Sequence, residues 1–233
     1  MDTEEERAAV AELNREALDV PAMARLRDLV AFVATGRPGT QTGNLKPTEV
    51  AAAAAALGLS DALSGKLRSM DDMPQLAHVF HWAVAAGFVA KRGTKVVAGP
   101  HAPDLEHDPV SAWLTAATTL LDHGLLDGFR RGWRKTYVEL LDAEVGGLLA
   151  AILEAGGAAP RSEIEESAWE HVALGYGYDV DDHDERRNVM RLAGSMVAQL
   201  ADIGIVTCDD GIVALTRLGS ILAMAAAMAG EDE

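Results

Sequence analysis

The chain has 233 residues, 49% hydrophobic but only 5% aromatic, which suits two mainly helical domains with real cores. No apolar stretch reaches the eighteen or so uncharged residues of a membrane span, and the acidic start is unlike a secretory signal. Cys208 is the only cysteine, which excludes an internal disulfide and multi-cysteine metal centres and predicts a free, buried thiol in a reducing, cytoplasmic setting.

Net charge is −16, unevenly placed. Residues 1–20 hold seven acids and two bases, residues 21–100 five acids and nine bases, and residues 101–233 twenty-four acids and nine bases. Only the middle stretch is basic, so the acidic sum argues against nucleic acid for part of the chain alone.

Thr3 and Glu6 have capping-box spacing and predict a helix over Glu4–Leu18. Pro21 opens a second helix, striped by Leu26, Leu29, Val30 and Val33, which ends near Gly36. The glycine- and proline-rich run 37–45 is a loop with a short strand expected around Thr42–Leu45. Pro47 opens a helix to Leu57, and the polar stretch to Asp72 is a turn with room for a short helix. Pro74 opens another helix to Ala86, and a hairpin follows over Phe88–Val97. The order helix, short strand, helix, helix, hairpin is that of a winged helix.

Residues 99–109 read as a linker, followed by a helix over Pro109–His123 and a segment near Leu125–Trp133. One long helix is expected over Tyr137–Ala155, stopped by Gly156 and Gly157. Ser162 and Glu165 predict a capped helix to about Val172, and residues 175–184 an acidic loop. A helix over Glu185–Ile203, a second hairpin and a terminal helix from about Thr216 complete the chain.

The hairpin entries repeat one punctuation: glycine ends the helix, a strand follows, and glycine makes the turn. Gly87 matches Gly204, Gly93 matches Gly211 and Gly36 matches Gly156, at offsets of 117, 118 and 120. Such near-constant spacing fits a diverged duplication. The run Arg37-Pro-Gly-Thr-Gln-Thr-Gly-Asn-Leu45, the Ala85-Ala-Gly-Phe-Val89 entry and the Val213-Ala-Leu-Thr-Arg-Leu-Gly219 exit together resemble tandem winged helix-turn-helix proteins of high-GC, actinobacterial-type bacteria. That resemblance implies a fold rather than an activity, because winged helices serve both as DNA readers and as protein-interaction modules.

The first hairpin tip, Lys91-Arg-Gly-Thr-Lys95, carries three cations suited to phosphates. Arg37, Lys46, Lys66 and Arg68 are further candidates for phosphate contact. On the 74–86 helix, Leu76, Val79, Phe80, Ala83 and Val84 are expected in the core, leaving Gln75, His78, His81 and Trp82 outward. That helix has no arginine or lysine, although arginine to guanine is the commonest base contact; Gln75 and His78 are nearest any bases. The second tip, Cys208-Asp-Asp-Gly211, is acidic. Asp209 and Asp210, with Arg187 and Arg191 on the preceding helix, therefore mark a partner or self-association surface, the arginines pairing with Glu185 or the acidic loop. Arg130, Arg131, Arg134 and Lys135, interleaved with Phe129 and Trp133, form the densest basic run and suit internal neutralisation.

Enzyme chemistry finds no set of residues. His78 and His81 have metal-compatible i, i+3 spacing but no completing ligands, and His101 and His107 are loop residues. The run 179–184 lacks the glycine and glutamate of a calcium loop. Residues 39–46 lack the lysine placement of a phosphate loop, and the aspartates after Cys208 disfavour a thiolate. No cofactor or metal is expected.

The expected architecture is mainly α with small β-hairpins: an acidic helix (1–20), a basic winged-helix module (21–100), a helical connector (101–136) and an acidic winged-helix module (137–233). The expected function is a non-enzymatic regulator, DNA-binding through residues 21–100 and partner-binding or self-associating through residues 137–233. The alternative is an adaptor that binds only proteins.

Overall fold

Prolines open four of the helices, because a first-turn residue loses nothing by lacking an N–H. These are α2 (Pro21–Val33), α3 (Pro47–Ala56), α4 (Pro74–Ala85) and α6 (Pro109–His123). The structure, a computed structural model, describes residues 4–59, 67–126, 134–179 and 182–230. It is mainly helical with two small three-stranded antiparallel sheets, divided into compact units of residues 1–120 and 121–233.

In unit 1, α1 (Glu4–Asp19) and α2 precede β1 (Arg37–Pro38); α3, a short 3₁₀ turn (Met70–Asp72) and α4 lead into β2 (Val89–Arg92) and β3 (Lys95–Ala98). The sheet order is β1-β3-β2. Helix α2 packs against α1, α3, α4 and β3, so Leu26, Leu29, Val33, Val50, Leu76 and Phe80 share one core. The strand expected around Thr42–Leu45 is instead β1, with Leu45 making a single bridge to Gly39. Residues 40–44 close a turn through Thr40 N–H to Asn44 O at 2.8 Å, and Gly43 there takes a φ of 99°.

After β3 the chain stays tied to unit 1. Gly99 N–H donates to Phe88 O at 2.8 Å, and α5 (Asp104–His107) and most of α6 follow. The Trp82 indole donates to Ala116 O at 2.8 Å. Trp82 is therefore buried and Val84 exposed, the reverse of the expectation. A helix covered on two sides buries a wider arc than a single stripe predicts.

In unit 2, α7 (Arg134–Ala143) and α8 (Val145–Glu154) precede β4 (Ala158–Pro160). Helices α9 (Arg161–Tyr176) and α10 (His183–Asp202) lead into β5 (Val206–Asp209), β6 (Ile212–Leu215) and α11 (Arg217–Gly230), with sheet order β4-β6-β5. The single helix expected over Tyr137–Ala155 is two. The chain breaks at Glu144, whose N–H is shared between Leu140 O and Leu141 O at 3.2 Å each, just before Gly146 and Gly147. The Ser162–Glu165 capping box does not form: Pro160 takes the N-cap without a side-chain bond, and Glu165 accepts from Arg161 Nε at 2.7 Å. Nor does the acidic loop begin at Gly175. Helix α9 runs on to Tyr176, closed by Gly177 in the left-handed conformation. Asp182 caps α10, accepting from the amides of Asp184 and Glu185.

The two sheets share strand order and the register around the hairpin turn, although β4 pairs three residues where β1 pairs two. Pro38 lies opposite Lys95 and Pro160 opposite Ile212. The next residue donates across the turn in both: Gly39 to Thr94 O and Arg161 to Gly211 O, each at 2.8 Å. Both hairpin entries use one helix stop, Phe88 N–H to Ala83 O and Ile205 N–H to Leu200 O at 2.9 Å, with Gly87 and Gly204 at φ 75° and 76°. Three features expected from the sequence lie outside the described residues: the Thr3 cap, Lys66, and most of the basic run, namely Phe129, Arg130, Arg131, Trp133 and the Arg134 side chain.

Candidate nucleic-acid interface

Hairpin register places the cations. Four-residue strands leave a two-residue turn, Gly93-Thr94, and Gly93 supplies the positive φ of 62° that it needs. Arg92 is thereby set directly opposite Lys95. Like charges opposite each other destabilise a ribbon by several tenths of a kcal/mol, up to about 1 kcal/mol. Both side chains are exposed, and among the described residues neither has an ion-pair partner. Lys95 lays its stem over Gly36, where an added Cβ would meet Lys95 Cδ at 3.2 Å.

Lys91 is exposed but engaged: its Nζ donates to Gln41 O, and its stem covers Gly43. On the other side of the same turn, His81 Nε2 of α4 meets Asn44 Oδ1 at 3.3 Å. Turn 40–44 is thus held between β2 and α4, which brings the hairpin and the outer face of α4 into one surface. Gln75 is exposed at the start of α4, and His78 is half-buried. Lys46 is exposed at the N-cap of α3.

Arg37 serves the fold. Its Nε donates to Phe32 O at 2.8 Å, its guanidinium sits 4.2 Å from the Phe32 ring centroid, and Nη1 lies 3.8 Å from Glu49. The positive charge is local as well. Unit 1 holds eleven bases and fifteen acids over residues 1–120, because α1 and the 101–108 stretch belong to it.

The second tip has the same frame and opposite charge. Asp209 and Asp210 are exposed beside Gly211, and Asp210 adopts a positive φ of 49°. Arg187 Nη2 lies 3.6 Å from Asp184, both well exposed, whereas Arg186 reaches back to Glu166. Arg191 is exposed beside Arg161, Gly194 and Ser195 at the edge of α10.

Three groupings escaped the sequence, because each joins separate helices or strands. Cys208 is exposed rather than buried, and Arg161 comes within interaction range of it. The Arg161 guanidinium is held above its usual pKa first by its bond to Glu165, with Cys208 adding. The Tyr137 hydroxyl meets Tyr178 Oη at 2.8 Å and donates to Glu185 at 2.9 Å. Burial, then those two bonds, push the Tyr137 phenol well above its ordinary value. His171 Nε2 lies 3.0 Å from Glu144 Oε1.

No helix among the described residues is long and apolar enough to cross a membrane, and no three metal-ligating side chains converge among them. No known protein family, curated protein or solved structure matches this chain.

Proposed function

We propose that the chain is a non-enzymatic, tandem winged-helix regulator. Its first hairpin contacts the phosphates of duplex DNA, and its second unit self-associates or recruits a partner. The winged-helix reading is supported by the order helix, strand, helix, helix, hairpin in both units and by their matching sheet registers. The observation that carries the DNA reading is the Arg92–Lys95 pair: two exposed cations held opposite each other, with no ion-pair partner among the described residues. A polyanion relieves that repulsion, and a ribbon tip reaches a groove edge.

Helix α4 offers Gln75 and His78 but no arginine or lysine, so binding of low sequence selectivity is expected. Arg37, engaged with Phe32 and Glu49, contributes less than Lys46, Lys91, Arg92 and Lys95. The acidic second tip, with Asp209 and Asp210, repels phosphates and suits a basic protein surface. The adaptor reading is favoured by one observation, the excess of four acids in unit 1 as a whole.

Fluorescence anisotropy of the full chain on random-sequence duplex, titrated with salt, separates the two. A log–log slope of about −0.9 per phosphate contact, summed over at least two contacts, supports DNA binding. No binding even at low salt leaves the adaptor.

A further inference from the structure

The two hairpin tips are one frame with opposite charge. Each has a two-residue turn, and in each the first strand, β2 or β5, is an edge strand of its sheet. Arg92 stands opposite Lys95 across the first turn, and Asp209 opposite Ile212 across the second. All four residues are exposed, as is Asp210. Among the described residues, none of the four charged ones has an ion-pair partner.

Both tips hold their charge against local preference. Arg92 and Lys95 repel each other across the ribbon. Asp210 takes a φ of 49°, in the left-handed region that favours glycine, whereas Gly93 fills the equivalent position of the first turn at φ 62°. Opposite charge on a shared frame makes the tips complementary to each other. An arginine fork takes a carboxylate through two N–H donors, so Arg92 suits Asp209 or Asp210. Ile212 is 43% exposed and gives the acidic tip an apolar step, which the aliphatic stems of Arg92 and Lys95 can cover. Both surfaces are present on every copy at equal concentration.

We propose that the Asp209–Asp210 tip of one chain binds the Arg92–Lys95 tip of a second copy. The inference rests on the reading that the second unit self-associates, and names the surface it meets. Exposed ion pairs are individually weak, so the contact is weak and salt-sensitive. A first hairpin engaged in it is closed to phosphate.

Cys208, the only cysteine, is exposed next to the acidic tip and serves as the probe. Full-length ¹⁴N and ¹⁵N chains are mixed at low salt, without DNA, and treated with a short thiol-to-amine crosslinker. Mass spectrometry should find Cys208 of one isotope joined to Lys91 or Lys95 of the other, a product lost in about 1 M salt. Such crosslinks confined to single-isotope pairs, or absent, would overturn the proposal.

Sedimentation equilibrium is the second measure. The first tip is reversed by Arg92→Asp with Lys95→Asp, and the second by Asp209→Lys with Asp210→Asn, asparagine tolerating the positive φ. Either reversal should weaken self-association about tenfold, and mixing the two variants should restore it. Association untouched by both reversals overturns the proposal but leaves self-association through another surface. A monomer throughout removes both, and neither result bears on DNA.

Discussion

Replacing Trp82 by phenylalanine should destabilise unit 1 by about 2 kcal/mol, in two nearly equal parts. Trp82 is 4% exposed, and its indole donates to the carbonyl of fully buried Ala116. Losing that bond costs about 1 kcal/mol, near the middle of the usual range because a helical carbonyl retains its own chain's donor. The smaller ring leaves a void of about 40 Å³ between α4 and α6, worth about another 1 kcal/mol at about 24 cal/mol per Å³. Urea unfolding followed by far-ultraviolet circular dichroism measures the sum, and the slope with denaturant should stay constant. A cost below about 0.5 kcal/mol would refute the packing of α6 on α4, and with it the assignment of residues 109–120 to the first unit.

The glycines offer a contrast. At Gly219 an added Cβ would lie 1.8 Å from Ile205 O, whereas Gly211 has open space but a φ of 77°. Gly219→Ala should therefore cost several kcal/mol by about the measure of a strained backbone clash, and Gly211→Ala only about 1 kcal/mol; equal costs in urea unfolding would contradict the geometry. Cys208 should react fully with a thiol reagent in the native protein, since it is exposed; protection until unfolding would return it to the core. The Tyr137 phenol, raised by burial and by its bonds to Tyr178 and Glu185, should stay protonated when an ordinary tyrosine titrates near 10. Because the folded value is the higher one, its contribution to stability is complete below the unfolded value and is lost as pH rises towards the folded one. Tyr137→Phe should remove that alkaline dependence; an unchanged ultraviolet titration would disprove the network.

What the sequence made legible is what the backbone dictates locally. Gly87, Gly93, Gly204 and Gly211 all adopt the positive φ that their helix stops and turns demand, so both hairpins fall where they were expected. Prolines 21, 47, 74 and 109 all open helices for an equally local reason. The errors lie where a distant partner decides. Glu165 had a capping spacing but bonds Arg161, and Trp82 is drawn inward by Ala116, thirty-four residues on. The break at Glu144 reflects a shared amide at the end of α7, which hydrophobic periodicity passes over because Leu141, Val145 and Leu149 stay in phase across it. Of the expected interface, Lys91, Arg92 and Lys95 were readable as a charged turn, but the diversion of Arg37 to Phe32 and Glu49 was not. Arg161 beside Cys208 and Glu144 beside His171 left no trace in spacing at all.

The central claim is that the Arg92–Lys95 pair meets phosphate. Its most direct test is the salt dependence of duplex binding by the full chain carrying Arg92→Ala and Lys95→Ala, compared with the unaltered chain. Two lost contacts should flatten the log–log slope by about 1.8, with weaker binding on every sequence. A slope and affinity equal to those of the unaltered chain would contradict the account, and would move any DNA contact away from the hairpin.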